Sequence, residues 1–495
     1  MMTVAEDMGV ALRADPERVV ARLFRPGEST PGGVSRTESV VSRVLAVPAQ
    51  TLALSAQRIL ATFGSRHHRL VAILRDHAAL VRGADASAIE DDVAVVLGAA
   101  FTAEYAVEGA ALCNPSAVDH PDQSGLVDGQ RRVLLSVRSI GESHLSSIQF
   151  CEAIVGPGRS WTFSPRETPL RLAAVTPGQW GRDHLLRTLE RDGQVGELVR
   201  SVGQALPETF ASSSVEEVLQ GLRLPLIHPV EARAQLDQIR VTASSAYRAT
   251  FPEDSSVSAR VLLPVAEEER QGMEDARFVR VEDEGGPLYR GTYTAYDGQS
   301  ISSRLITTPD FRTFEVQRMT GAPSQTKGMA LFPRRVGGQM LALSRGDGES
   351  ISLTRSANGL DWGAEEAVYQ PSAWWEVVQI GNCGPPMETP EGWLVLTHGV
   401  GPMRVYSVGA ILLDLEDPAR VRGVLREPLL QPEGDDRDGY VPSVVYSCGG
   451  VIHDGVVWIP HGVGDDRIRV ASIPLVELLA AMTWPDEPEP GSEQK

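Results

Sequence analysis

The feature of this sequence that most constrains its fold is a long series of short apolar segments separated by turn residues. From Ala110 to about Ile473, segments such as RRVLLSVRSI and SSIQFCEAIV alternate with glycine, proline, asparagine and aspartate. Segments of this length, rich in β-branched residues and bounded by turn formers, are typical of strands. The chain is therefore predicted to be mainly β.

Two parts of the strand-rich region resemble each other. TTPDFRTFEV begins at Thr307 and TRSANGLDWGAEE begins at Thr354, and each has a small polar residue, a turn and then an aromatic residue. Their spacing of about 50 residues is near the repeat length of a propeller blade with four strands. Two unrelated hairpins in a β-sandwich would give the same pattern, so the repeat alone leaves both folds open.

Two other regions have helical periodicity. Between Thr37 and Gly83, and again between about Thr176 and Tyr247, apolar residues recur every three or four positions. The segment RVVARLFRP, before the first region, is predicted to be a strand that docks elsewhere. We divide the chain into five parts. These are a helical N-terminal region (1–105), a first strand-rich part (106–175), a helical insert (176–247), a second strand-rich part (248–480) and a disordered tail rich in proline and glutamate (481–495).

Composition excludes several classes of protein. With 65 acidic and 46 basic residues the net charge is -19, which disfavours nucleic acid and anionic lipid as partners. We see no signal peptide and no apolar run that could span a membrane, so a cytoplasmic protein is expected. The 4 cysteines are far apart, which predicts reduced thiols and neither a disulfide framework nor a metal site. GxGxxG, P-loop, HExxH and GxSxG motifs are absent from the sequence.

The densest group of chemical residues lies in QGMEDARFVRVED. Asp275, beside Arg277 at a junction between a turn and a strand, could present a general acid to a cleft. A surface ion pair on a solvated turn explains the same residues. In the next segment, GTYTAYDG, Tyr293, Tyr296 and Asp297 could stack on a sugar ring and bind its hydroxyls, or could be packed core residues.

Basic residues then occur singly at predicted strand ends. Lys327, Arg345 and His398 each adjoin an apolar segment and a glycine or turn. If these strands belong to successive blades, the three side chains converge on one pocket suited to phosphate; taken singly, each could face water at a rim. Trp374 and Trp375 are candidates for stacking on a sugar or for core packing.

Six motifs together carry a resemblance to a known family. In chain order they are MEDARFVR, GTYTAYDG, KGMALFPR, GNCGPPMETPEGWLVLTHGVG, GYVPSVVYSCGG and HGVGDDRI. In this order they resemble glycoside hydrolase family 130, over roughly Ala110 to Pro474 without the helical insert. The resemblance implies a five-bladed β-propeller with helical additions that breaks β-mannosidic bonds with inversion, uses no cofactor, and often forms homo-oligomers.

The resemblance also implies roles for individual residues. The family's Glu-Asp-Pro-Arg motif matches Glu274 to Arg277, with alanine in place of proline, which makes Asp275 the general acid, relaying its proton through a sugar hydroxyl. Further residues are implied to bind the substrate, namely Asn114, Arg138, Arg277, Tyr293, Asp297 and Asp465. The implied phosphate-binding residues are Lys327, Arg345, Gln379 and His398.

The phosphate positions favour phosphorolysis over hydrolysis. Hydrolases of the family tend to carry glutamates at the positions of Arg345 and Gln379, where a carboxylate could activate water. Arg345 stays protonated and cannot do so, whereas a cation there stabilises a phosphate nucleophile. Gln379 replaces the lysine usual in phosphorylases and weakens this argument. The expected substrates are an oligosaccharide and inorganic phosphate; the alternatives are an inverting β-mannosidase on the same fold and a non-catalytic glycan-binding propeller.

Overall fold

The computed structural model describes residues 5–27, 35–83, 85–221, 229–283 and 286–484. Within these residues the chain is mainly β, with helices concentrated in two regions, as the sequence predicts. The strands of the β part form five units, which we call the first to fifth sheet units. Both faces of the central strands are covered; all residues of Gly392–Val400 are buried, for example, which is why this strand reads as a nearly continuous apolar run.

The first two sheet units form one sheet of 12 strands, in which they are joined through a single parallel pair, Gly272 with Ser146. The first unit consists of Ala111–Asp119, Arg131–Ile140, Ser146–Gly156 and Ser160–Phe163, with Arg171–Leu172 and Arg260–Leu262 at its edge. The second unit consists of Gly272–Asp283, Gly286–Tyr296, Ile301–Thr308 and Thr313–Arg318, with Tyr247–Thr250 and Ala174–Pro177 added at its outer edge.

The other three sheet units are separate antiparallel sheets. The third consists of Ala330–Leu331, Met340–Ser344, Ile351–Ser356 and Glu366–Tyr369. The fourth consists of Gln379–Asn382, Met387–Thr389, Gly392–Val400, Tyr406–Leu413 and Val421–Val424. The fifth consists of Val445–Tyr446, Val451–His453, Val456–Val463, Arg467–Pro474 and the N-terminal strand Glu6–Arg13.

The α-helices of the described residues lie outside these sheets. In chain order they are α1 Arg36–Leu45, α2 Ala49–Phe63, α3 Leu70–Arg82, α4 Asp91–Ala100, α5 Arg182–Arg191, α6 Glu197–Ala205, α7 Ser214–Gly221, α8 Pro229–Ser244 and α9 Leu475–Ala480. Among these residues no single helix has the length and apolar composition to cross a membrane, although the bent pair of α1 and α2 together meets that criterion.

The N-terminal region differs from the prediction in one respect. Residues 5–27 are not helical but contribute two strands. Glu6–Arg13 completes the fifth sheet unit, because its backbone pairs with Arg467–Pro474 at the other end of the chain. Val19–Leu23 pairs with Thr102–Ala106, which confirms the strand predicted in RVVARLFRP. Nearby, the buried Arg18 donates to Gln149 and to the carbonyl of Ser258.

The helical insert has its own core and docks on the second and third sheet units. Helices α5 to α8 surround buried leucines such as Leu185 and Leu189. Asp192 accepts hydrogen bonds from Arg318, at 2.6 Å for the shorter one, and Asp361 pairs with Arg187 at 2.7 Å. Burial acts to raise the pKa of Asp361, but hydrogen bonds from Thr320, Arg187 and Asn358 hold it below its usual value. The predicted disordered tail, 481–495, is wrong for its first four residues, because Thr483 exchanges backbone hydrogen bonds with Val424 and Met482 is buried; the rest of the tail lies outside the described residues.

Candidate active site

A cavity of about 340 Å³ brings together residues from all five sheet units. Its lining includes Asn114, Arg138, Asp275, Lys327, Arg345, Gln379, His398 and Asp465, that is, eight of the eleven predicted site residues. A larger cavity of about 600 Å³, lined by residues such as Arg280, Arg334 and Trp362, contains none of the predicted residues. We therefore consider the smaller cavity, hereafter the central cavity, to be the candidate active site.

Two β-bulges form the first part of the central cavity. The register of Ala111–Asp119 shifts between Cys113 and Ser116, and that of Gly272–Asp283 shifts between Glu274 and Arg277. Asn114 and Asp275 lie in these bulges with φ of 50° and 55°. Left-handed backbone is uncommon for residues with a side chain, although Asn and Asp tolerate it best, and such strain concentrates at functional sites.

The bulges place the two side chains against each other. Asn114 Nδ2 donates to Asp275 Oδ1 at 2.7 Å, and both residues are buried. Asn114 Oδ1 is buried and has no hydrogen-bond partner among the described residues. An unpaired buried amide oxygen is costly. This oxygen can accept a hydrogen bond from a sugar hydroxyl, so the pair is suited to hold one hydroxyl next to a carboxyl group.

Three carboxyl groups surround Arg138 on this side of the cavity. Arg138 donates to Glu274 at 2.7 Å and lies 3.9 Å from Asp275. Asp465, in a turn with φ of 47°, is the third member. Burial raises the pKa of Asp465 to about 6 and also raises the pKa of Glu274, in each case with a contribution from the neighbouring carboxylates.

Asp275 behaves differently from the other two carboxyl groups. Burial acts to raise its pKa, but the charges of Arg138 and Arg277 and the hydrogen bond from Asn114 outweigh that effect. The pKa of Asp275 therefore lies below its usual value in the cavity as it stands. A general acid at this position would need its pKa raised when the substrates bind.

The third and fourth sheet units supply basic residues on the other side. Arg345 follows directly after Met340–Ser344 and donates from Nη2 to the carbonyl of Gly348 at 2.9 Å. Its Nη1 lies 3.3 Å from His398 Nε2, which must accept because a guanidinium only donates. Burial, followed by the charges of Arg345, Arg277 and Lys327, holds the pKa of His398 well below its usual value. His398 is therefore a neutral imidazole here.

Gly381 makes room for this pair of side chains. It lies opposite His398 in the fourth sheet unit, and a Cβ atom built on it would come within 2.5 Å of His398 Cε1 and 2.8 Å of Arg345 Cδ. Both approaches are shorter than real Cβ contacts, so any larger residue would displace one side chain. The first glycine of the GNCGPP motif is therefore explained by the close packing of His398 and Arg345 against it.

Arg277 lies behind the central cavity and not in its lining. It is buried and donates to the carbonyl of Cys383 at 3.2 Å and to the hydroxyl of Tyr446 at 2.9 Å. Tyr446 lines the cavity, and its ring contacts the ring of His398 edge to face. Arg277 therefore positions cavity residues and supplies a buried positive charge near Asp275.

Besides Arg277, two predicted substrate-binding residues lie outside the lining of the central cavity. Tyr293 lies in the hydrophobic core of the first two sheet units, and its hydroxyl donates to Glu269. Asp297 is in a turn outside the cavity, where it accepts from the backbone of Gln299 and Ser300 at 2.7 Å. The alternating pattern of GTYTAYDG is that of a strand whose aromatic residues are core residues, followed by a turn stabilised by an aspartate.

The tryptophan pair does not bind sugar in the central cavity either. Trp374 is exposed, and Trp375 packs against Gly399 and Gly409, whose missing side chains leave space for the indole ring. Other lining residues were not predicted from the sequence, among them Met403, Arg404, Tyr406, Val441, Pro442 and Val444. Apart from Tyr406, which begins a strand, they lie between strands, and the positive φ of Met403 and Arg404 leaves no signal in the residue types.

Replacing Asp465 with asparagine is expected to stabilise the free protein above pH 6. The pKa of Asp465 is about 6 in the folded protein and 3.8 in an unfolded reference, so ionisation disfavours the folded state. This cost is absent below about pH 4, grows as the pH rises through the interval between the two values, and is complete above pH 6. Asparagine avoids the charge and tolerates the positive φ.

Thermal unfolding of both proteins between pH 4 and pH 8 checks this expectation. The free energy of unfolding of the variant should exceed that of the parent by about 1–2 kcal/mol at pH 8, with a difference near zero at pH 4. A difference independent of pH would contradict the assignment of a raised pKa to Asp465.

Comparisons of the sequence with known proteins show that the chain is an enzyme of the carbohydrate-active class. The family model described as beta-1,4-mannooligosaccharide phosphorylase, for glycoside hydrolase family 130, matches residues 249–483. The chain is 31% identical over 222 residues to 1,2-beta-oligomannan phosphorylase of Thermoanaerobacter sp. (strain X514), an overlap of 44% of this chain and 73% of the relative. The chain belongs to glycoside hydrolase family 130.

Two further comparisons involve beta-1,2-mannobiose phosphorylase from Listeria innocua. In sequence, the overlap of 226 residues is 29% identical and covers 44% of this chain and 62% of the relative. The solved structure of the Listeria innocua enzyme in complex with beta-1,2-mannobiose has a TM-score of 0.45 with 20% identity, over 76% of this chain and 92% of the other.

Proposed function

We propose that this protein cleaves β-mannosidic bonds by phosphorolysis with inversion, releasing mannose 1-phosphate, and makes mannosides in the reverse direction. The observation that carries the proposal is how charge is distributed in the central cavity. Among the described lining residues the carboxylates are Asp275 and Asp465, both next to Arg138, whereas Lys327 and Arg345 lie beside strands of the third sheet unit. The relatives named as phosphorylases support the same reading.

In the proposed reaction, phosphate bound by Lys327 and Arg345 attacks the anomeric carbon of the terminal mannose. The bond from that carbon to the glycosidic oxygen breaks while a bond to a phosphate oxygen forms, and the leaving oxygen takes a proton that originates from Asp275. Hydrogenphosphate brings one proton and the mannosyl phosphate dianion keeps none. Protons therefore balance overall, and Asp275 returns to its acid form.

Binding of phosphate can itself raise the pKa of Asp275, the proposed general acid. In the free cavity, positive charges hold the pKa of Asp275 below its usual value. A bound phosphate dianion offsets part of that positive charge, and the sugar excludes water from around the carboxyl group. Both changes raise the pKa of Asp275, so that the proton donor forms when both substrates are bound.

Hydrolysis by the same fold is the second candidate. Its supporting observation is Gln379, which lines the cavity without a charge and so leaves phosphate with fewer cations. An inverting hydrolase, however, needs a second carboxylate to activate water on the side opposite the acid. Arg345 and the neutral His398 are on that side here. Phosphorolysis is therefore the better-supported reaction.

We also propose that the five sheet units are five blades of a closed propeller, formed by residues 106–175 and 248–480 around the central cavity, with the helical insert between them. Contacts between successive units support a ring. Examples are Ile380 N to the carbonyl of Glu349 at 2.8 Å, between the third and fourth units, and Tyr406 N to the carbonyl of Ser443 at 3.0 Å at the start of the fifth.

Contacts between the last and first units support closure of that ring. Cys448 N donates to the carbonyl of Pro115 at 2.8 Å, and Ser116 forms a parallel bridge with Gly449. The four cysteines are all buried and free, which suits the reducing cytoplasm that we propose as its location.

The proposed function is tested by product analysis with β-1,2-, β-1,3- and β-1,4-linked mannobiose, each with and without phosphate. We expect mannose 1-phosphate from at least one linkage, and at least a hundredfold slower cleavage when phosphate is omitted, because the described lining residues provide no carboxylate on the side of Arg345 and His398 to activate water. Release of free mannose at an equal rate without phosphate would contradict phosphorolysis and favour the hydrolase. Binding of a mannobiose without turnover of any linkage would favour a glycan-binding protein.

A further inference from the structure

The turn between Gly392–Val400 and Tyr406–Leu413 adds a cation to the central cavity that neither motif nor family comparison assigns. Met403 and Arg404 in this turn have φ of 58° and 56°. Left-handed backbone is unfavourable for residues with a side chain, so tertiary contacts must hold this turn in its conformation. Arg404 is exposed at the surface and also lines the cavity.

Two contacts connect Arg404 to the phosphate-binding side. Its Nη2 donates to the hydroxyl of Tyr406 at 2.9 Å, and its guanidinium carbon lies 5.8 Å from the centre of the Tyr406 ring. The Tyr406 ring is in turn nearly parallel to the His398 ring, with the two centres 6.3 Å apart. Arg404 is therefore held next to the residues that surround the neutral imidazole of His398.

The strand register shows where positive charge is missing. Gln379, Val400 and Tyr406 lie side by side across three strands of the fourth sheet unit. Gln379 and His398 are neutral, and Arg138 is paired with carboxylates, which leaves Lys327 and Arg345 as the other lining cations available to phosphate among the described residues. A phosphate dianion that lies between solvent and the anomeric carbon is stabilised by a further hydrogen-bond donor at this edge of the cavity.

We infer that Arg404 is a third phosphate-binding cation, which compensates for the neutral Gln379. A guanidinium has five N–H donors, of which one goes to Tyr406, so the group can contact a phosphate oxygen while it stays anchored. Two other roles are conceivable for an arginine at a cavity mouth, a contact with the acceptor sugar or no contact with either substrate. Each predicts a different kinetic result.

The inference rests on the proposed function, and two measurements test it. The first is the KM for phosphate at saturating mannoside, together with the KM for mannoside at saturating phosphate. Arg404→Gln should raise the KM for phosphate by about tenfold or more, the usual loss for a hydrogen bond to a charged group, with the KM for mannoside changed less than twofold. Arg404→Lys, which keeps the charge, should lose less.

A second-site change makes the test specific. Adding Gln379→Lys to Arg404→Gln places a cation in the same row as Tyr406, two strands away from it. This cation should recover most of the affinity for phosphate. Arg437→Gln removes an exposed arginine outside the cavity and serves as the matched control. A KM for phosphate unchanged in Arg404→Gln would overturn the inference, as would a change confined to the KM for mannoside.

The second measurement is calorimetric titration of inorganic phosphate into the same proteins without sugar. A tenfold weaker Kd in Arg404→Gln, restored by Gln379→Lys, is the expected result. An unchanged Kd would overturn the inference even if no mannobiose is cleaved. If instead the parent protein binds phosphate through Arg404 and releases no mannose 1-phosphate, the proposed reaction fails and the assignment of Arg404 stands.

Discussion

Asp275→Asn is expected to lower kcat for mannoside phosphorolysis by about a thousandfold. The amide cannot release a proton to the leaving oxygen, and a positioned general acid contributes roughly 10²–10⁴ to the rate. The variant should still fold, because asparagine tolerates the φ of 55° and its carbonyl oxygen can accept the hydrogen bond from Asn114. The measurement is steady-state kinetics together with calorimetric binding of the mannoside.

Asp454→Asn is a matched control for this change. Asp454 also has a positive φ, 49°, but it is exposed in a turn outside the central cavity. Its replacement should leave kcat unchanged. If Asp275→Asn retained more than a tenth of the parental kcat with normal folding, Asp275 could not be the proton donor.

Arg345→Gln is expected to lower kcat/KM for phosphate by 10²–10³-fold. Arg345 is buried beside His398, and its guanidinium is fixed by a hydrogen bond to the carbonyl of Gly348. Removing a positioned charge that stabilises the transition state typically costs this much. Arg345→Lys keeps the charge but loses the fork of donors, so its loss should be smaller.

The same substitution should change the pH dependence. The charge of Arg345 is one reason why the pKa of His398 lies well below its usual value. Without that charge the pKa of His398 rises, and protonation at low pH can return part of the lost positive charge. Phosphorolysis by Arg345→Gln should therefore improve, relative to the parent, as the pH falls from 8 to 5. An equal loss at every pH would argue against a shared phosphate site for Arg345 and His398.

The strand-rich architecture was predictable because its signals are local. Turn residues occur at short intervals between apolar segments, and the helical regions have their own periodicity. The strand Glu6–Arg13 was not predictable as part of the fifth sheet unit, since its partner Arg467–Pro474 is more than 450 residues away. Pairing at that distance leaves no local mark on a sequence.

The site was predictable where chemistry fixes the residue type. Asp275, Lys327 and Arg345 are charged groups next to predicted turns, Arg138 was implied by the family resemblance, and the structure brings all four to one cavity. Tyr293 and Asp297 show the limit of this reasoning. A tyrosine on a strand and an aspartate in a turn look alike whether they contact a ligand or their own chain, and only the partners, Glu269 and the Ser300 backbone, distinguish the two.

Arg404 was missed for a different reason. Its proximity to the cavity depends on two successive residues with positive φ, and neither Met403 nor Arg404 is of a type that favours that conformation. Tertiary structure imposes the turn. Residues of this kind are identified only from the three-dimensional structure. Specificity can differ between members of one family at such positions.

The stereochemistry of the sugar phosphate tests the central claim most directly. A proton donor on one side of the glycosidic bond and phosphate on the other require inversion, so a β-mannoside must give the α anomer. The purified protein is supplied with mannose and either α- or β-mannose 1-phosphate, and phosphate release and product linkage are followed by NMR. Consumption of the α anomer alone, with a β-linked product, is the predicted result; consumption of the β anomer would contradict the account.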